Sequence, residues 1–120
     1  MRRRACHLFF VLRLDQSMRE LEYQRKLIKK IQRMFPDCWI MKNDPNQNQG
    51  VPDILILWNN QWAMLEIKIS ETAHSQPNQD YYIDRFNTMS FAAFINPQNE
   101  EQVLSDLQSA FGADWETCVS

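Results

Sequence analysis

The run Ile54-Leu55-Ile56-Leu57-Trp58 is wholly apolar, and Asn59-Asn60, a tight-turn dipeptide, closes it. A short apolar run ending in a turn signal predicts a strand buried on both faces. Residues 61–70 form the return strand, along which side chains alternate. Trp62, Met64, Glu66, Lys68 and Ser70 share one face, and Ala63, Leu65, Ile67 and Ile69 the other. Glu66 and Lys68 therefore project together from an otherwise apolar strand. A two-residue hairpin loop pairs Trp58 with Gln61, and the same register sets Asp53 opposite Glu66 on one face. Cross-strand neighbours have Cβ atoms about 4.5–5.5 Å apart. Two carboxylates at that separation repel unless one is protonated or a cation lies between them. With a lysine two residues on, the set suits a hard divalent cation such as Mg2+.

The flanking segments complete an α/β chain. Residues 18–35 read as an amphipathic helix, with Leu21, Leu27, Ile28, Ile31, Met34 and Phe35 at helical spacing. Ser17 with Glu20 three residues on matches a capping box, and Pro36 closes the segment. A short strand is expected over 38–42, polar loops over 43–50 and 71–78, a helix over 78–89 and a strand over 91–96. A last helix over 100–111 stops at Gly112. The order α-β-β-β-α-β-α in 120 residues allows one domain with a modest core and not two.

The expected organisation is an N-terminal extension (1–17), a domain (18–112) and a C-terminal tail (113–120). The opening MRRRACHLFFVLRL has the outline of a signal peptide. Its apolar run is short, holds His7, is broken by Arg13 and leads to no small-residue cleavage site. A membrane-spanning helix needs about 20 apolar residues. The extension is expected outside the core, as a strand, with Met18 an alternative start.

The first helix adds a third acid. At about 100° per residue from Glu20, Gln24 falls near 40°, Leu27 near 340° and Ile31 near 20°. Glu20 and Gln24 thus belong to the apolar, core-facing side, whereas Glu22, near 200°, faces solvent. A carboxylate on a buried helix face is costly unless paired or metal-bound, so Glu20 is assigned to the site.

Lys plus Arg number 13 against 15 Asp plus Glu, a net charge of -2, which excludes a uniformly basic protein. The average hides a polarised chain. All 13 basic residues fall within 1–85, and 86–120 carry five acids with no Lys or Arg. Arg25, Lys26, Lys29, Lys30 and Arg33 crowd the first helix, forming either a phosphate-binding track or an ordinary solvated face. Lys42 either joins that track or simply ends a strand. Three widely spaced cysteines suggest neither a disulfide framework nor a zinc motif, and point to a reduced cytosolic setting.

Glu20 on a helix, Gly50-Val51-Pro52-Asp53 and Glu66-Ile67-Lys68 together resemble the PD-(D/E)xK nuclease superfamily, whose fold is αβββαβ. With Gln24 and Gln76-Pro77-Asn78-Gln79 added, residues 18–111 look like small VRR-NUC-type nucleases of phages and bacteria. The resemblance implies a restriction-endonuclease-like αβββαβ core, a mixed central sheet flanked by helices, plus a C-terminal helix.

It further implies that Asp53, Glu66 and the backbone carbonyl of Ile67 ligate Mg2+ or Mn2+, with Glu20 completing the site. Lys68 would orient or help deprotonate the attacking water. Gln79 would lie near the metal, with Gln24 in support and Gln76 a weaker candidate. The implied activity is Mg2+-dependent hydrolysis of DNA phosphodiester bonds, structure-selective for junction or branched DNA. RNA stays open as a substrate. A homodimer, no membrane partner and the cytosol of a bacterium or phage-infected host complete the expectation.

Each residue also has a plainer reading: Asp53 as a strand-start acid, Glu66 and Lys68 as a weak surface ion pair worth at most about 1 kcal/mol. The alternatives for the whole chain are a nucleic-acid-binding module that does not cut, and a small interaction protein using the acidic C-terminal helix.

Overall fold

The computed structural model describes the backbone of residues 2–70 and 75–112, and side chains within those ranges from Met18 onward. Its elements are α1 (Arg2–Met34), β1 (Trp39–Lys42), β2 (Ile54–Trp58), β3 (Gln61–Ile67), α2 (Pro77–Met89), β4 (Phe91–Ile95) and α3 (Glu100–Phe111). The four strands form one mixed sheet in the order β1-β2-β3-β4. β1, β2 and β3 are joined antiparallel, while β4 runs parallel to β3. A parallel neighbour needs a crossover, and α2 provides it.

The core lies on one sheet face. Ile54 and Ile56 from β2, Ala63, Leu65 and Ile67 from β3, and Ile95 from β4 are all essentially inaccessible. α1 covers them with Leu27 and Ile31, continued by Phe35 just past its end, and α3 with Val103, Leu104, Leu107 and Phe111. At the hairpin end Phe35, Trp58 and Phe111 meet with ring centroids 5.2–5.9 Å apart. The Trp58 indole N–H is satisfied by the Pro36 carbonyl at 2.9 Å.

The other sheet face is covered by α2, over β3 and β4. Trp62 meets Phe86 edge-on at 6.1 Å, and Ser90 Oγ donates to the Trp62 carbonyl. β2 is therefore buried on one face only: Ile54 and Ile56 are enclosed, whereas Leu57 is exposed, along with Trp39 and Met41 of β1. A continuous apolar run does not reveal that the covering helix lies over the neighbouring strands.

Several boundaries differ from expectation. α1 begins at Arg2, so Ser17 is mid-helix rather than a cap, and residues 2–17 are not a strand. No Gly or Pro interrupts residues 2–34, and a capping pattern starts a helix only where the preceding backbone leaves helical geometry. β1 starts at Trp39 because the Cys38 N–H is turned back to the Phe35 carbonyl at 3.1 Å. β3 ends at Ile67, three residues early, level with Ile95 at the end of its parallel neighbour β4. β4 ends at Ile95, where Asn96 Oδ1 takes up the N–H groups of Gln98 and Asn99.

The last helix spans its expected residues and ends at Gly112, in the left-handed region at φ 67°. The proposed tail, 113–120, lies outside the described residues. Among the described residues no helix is long and apolar enough to cross a membrane.

Candidate functional site

The hairpin positions the acidic pair as the two-residue loop requires. Asn59 takes φ 55° in the turn, a conformation asparagine tolerates, and Trp58 pairs with Gln61 through to Ile54 with Leu65. One step further, Asp53 Oδ2 accepts the Ile67 N–H at 2.8 Å. Across β1 the Asn43 N–H donates to the Asp53 carbonyl at 2.9 Å, and Asn43 Nδ2 to the Pro52 carbonyl at 2.8 Å. Asn43, Asp53, Glu66 and Phe94 thus form one row across the sheet.

Glu66 is only 4% exposed. Burial pushes its carboxyl up to about 9, reinforced by the neighbouring Asp53 carboxylate, opposed by the Lys68 ammonium and raised further by Glu20. One oxygen, Oε1, lies 3.4 Å from Gln79 Nε2; the other, Oε2, is buried without a hydrogen-bond partner. Lys68 Nζ donates to Gln79 Oε1 at 2.8 Å, and that oxygen also accepts the Gln76 N–H at 2.9 Å. Gln79, in the first turn of α2, therefore joins the acid to the amine. Gln76 contributes backbone at the helix start.

Glu20 is exposed rather than buried. It lies on the stripe of Gln24, Leu27 and Ile31, but Leu27 is the first residue of that stripe to be enclosed, so Glu20 sits at its solvent end. Its charge nevertheless acts on Glu66. Gln24 is half-buried. Among the described residues no three His, Cys, Asp or Glu side chains gather at metal-ligating distance; the assembled acids are the pair Asp53 and Glu66.

The basic residues divide. Lys30 pairs with Glu100 at 2.8 Å, where Tyr23 also donates to Glu100 at 3.0 Å. Lys26 pairs with Glu22 at 3.2 Å. Arg25, Lys29 and Arg33 are exposed on the helix side away from the enclosed stripe, as expected of a solvated face. Lys42 is exposed at the sheet edge, beside Ile54 in register and adjacent to Asn43.

Two residues that matter here were not singled out as site residues from sequence. Asn43 was hidden because the register of β1 on β2 follows from a long loop and not from a tight turn. Gly50 had a usable signal, being one of only two glycines in the chain. It adopts φ 90°, and a Cβ there would stand 2.5 Å from Asn78 Cβ. No protein-family model matches the chain, and neither a curated protein nor a solved structure is found similar to it.

Proposed function

We propose that this protein is a divalent-metal-dependent nuclease of the PD-(D/E)xK type that hydrolyses DNA phosphodiester bonds. The observation that carries this reading is the buried Glu66 carboxyl, set against the half-buried Asp53 and beside Lys68, with Glu66 Oε2 lacking any partner. An orphaned buried carboxylate oxygen is expensive, and an all-oxygen donor set fits Mg2+ or Mn2+. Asp53 and Glu66 would hold the ion. The Ile67 carbonyl is a further donor, because in extended backbone the C=O points to the same side as the N–H, here toward Asp53.

When bound, such an ion lowers the pKa of its water and stabilises charge on phosphoryl oxygens. The chain's own groups do the rest. The Ile67 amide fixes Asp53, and Gln79 fixes the Lys68 amine beside the carboxyl pair. From there Lys68 can hydrogen-bond an attacking water or a non-bridging phosphate oxygen. Glu20 adds negative charge at the solvent side and would support a second ion. Structure-selective cutting of junction or branched DNA, assembly as a homodimer and a cytosolic setting belong to this proposal.

The test is cleavage of labelled junction, flap, duplex and single-stranded DNA, and of RNA, in Mg2+ or Mn2+. Cutting of DNA that is lost in EDTA and in Glu66→Ala supports the reading. Salt-sensitive binding without cleavage would instead favour a non-cutting binding module, and neither binding nor cleavage would overturn both.

A further inference from the structure

Gly50 lies in the loop between β1 and β2, against the first turn of α2. A Cβ built on it would be 2.5 Å from Asn78 Cβ, 3.0 Å from the Asn78 carbonyl carbon and 3.2 Å from the Gln79 amide nitrogen. Ordinary van der Waals contact starts near 3.4 Å, so any side chain would push loop and helix apart by close to 1 Å. Gln79, the next residue, carries the amide that binds Lys68 at 2.8 Å. A shift of that size stretches this bond beyond hydrogen-bonding range.

The contact closes a ring. Gly50 leads through Val51 and Pro52 to Asp53, which is fixed on the Ile67 amide. Glu66 and Lys68 flank Ile67, and Gln79 reaches both before the chain returns through Asn78 to Gly50. We infer that Gly50 is a positioning residue: its missing side chain lets the loop brace α2 so that Gln79 holds the Lys68 amine beside the Asp53 and Glu66 carboxyls. This rests on the proposed nuclease reading for its catalytic consequence and on contacts alone for its geometric one.

Two readouts separate those parts. The first is the acylation rate of the Lys68 amine, followed by mass spectrometry in EDTA without nucleic acid. Gly50→Ala is expected to raise it several-fold by releasing the amine from Gln79. Asn78→Gly removes the closest obstructing atom, so the double variant G50A/N78G is expected to return toward the wild-type rate. The strain of alanine at φ 90° persists in the double variant, so rescue identifies the close approach and not the backbone conformation as the cause.

The second readout is cleavage kinetics. A misplacement near 1 Å costs on the order of 100-fold in rate, so Gly50→Ala is expected to lower kcat by about that factor with KM little changed, and N78G to restore much of it. An unchanged Lys68 rate in folded Gly50→Ala, or a change that N78G fails to reverse, overturns the inference whatever the kinetics. If the amine responds as expected but the wild type cuts nothing, the brace stands and the nuclease reading fails.

Discussion

Asp53 is anchored to the backbone of Ile67: its Oδ2 accepts the Ile67 amide proton at 2.8 Å across the β2–β3 ladder. That bond commits one carboxyl oxygen to holding the side chain in place. Asp53→Asn keeps an oxygen that can accept the same N–H while losing the charge. The variant is expected to fold with a melting temperature close to wild type and to lose at least about 100-fold in Mg2+-dependent kcat. Single-turnover cleavage alongside thermal unfolding would check this, and full activity in Asp53→Asn would sink the assignment.

The Glu66 carboxyl sets a pH dependence of stability. Its pKa rises from an ordinary carboxylate value to about 9 on folding, so between those values the folded state binds more protons than the unfolded one. Stability then falls as pH climbs. In EDTA the melting temperature should be highest near the acid end of that window and decline through neutrality toward pH 9. Glu66→Gln should flatten the decline and be the more stable protein at pH 8. A wild-type profile that rises across this range would contradict the burial of Glu66.

Metal binding is linked to the same proton. Placing a cation on Asp53 and Glu66 requires Glu66 to ionise, so binding at pH 7 should release a proton. Calorimetric titration with Mn2+ in two buffers of different ionisation enthalpy would measure it. Heats that do not depend on the buffer would argue that the cation binds elsewhere. Mg2+ should also raise the melting temperature more at pH 8 than at pH 5.

Lys30 should matter for stability and little for DNA. Its pair with Glu100 is partly solvated, so Lys30→Ala should cost below about 1 kcal/mol and lose that effect in high salt. The slope of DNA affinity against salt concentration should stay unchanged. A slope reduced by about one unit would place Lys30 on the phosphate track after all.

Two tryptophans should behave oppositely. Trp39 is 67% exposed, and Trp39→Ser should move stability by no more than about 0.5 kcal/mol. Trp58 packs on Phe35 and Phe111 and donates to the Pro36 carbonyl. Trp58→Ala should therefore cost about 3 kcal/mol by denaturant unfolding, and equal effects at the two positions would contradict the one-sided burial of the sheet.

The hairpin and the last helix were legible in the chain because their causes are local. A two-residue loop admits one register, which put Asp53 opposite Glu66, and strand alternation put Lys68 on the same face. Gly112 ends α3 because the left-handed conformation at that point suits glycine. The amphipathic stripe of α1 likewise followed from spacing. Its start did not, since the Ser17 cap pattern lies inside a continuous helix.

What only the tertiary structure decided depends on groups far apart in the chain. The solvent position of Glu20 follows from where along α1 the sheet stops covering the helix. The capture of Lys30 follows from the docking of Glu100, 70 residues away. β2 is exposed on one face because α2 lies over β3 and β4. The Gly50 contact with Asn78 joins a loop to a helix, and the bonds of Gln79 to Glu66 and Lys68 join that helix to a strand. Periodicity and turn chemistry act over a few residues and are written in the sequence. Which surfaces meet, and which charges are thereby neutralised or left buried, is settled by packing.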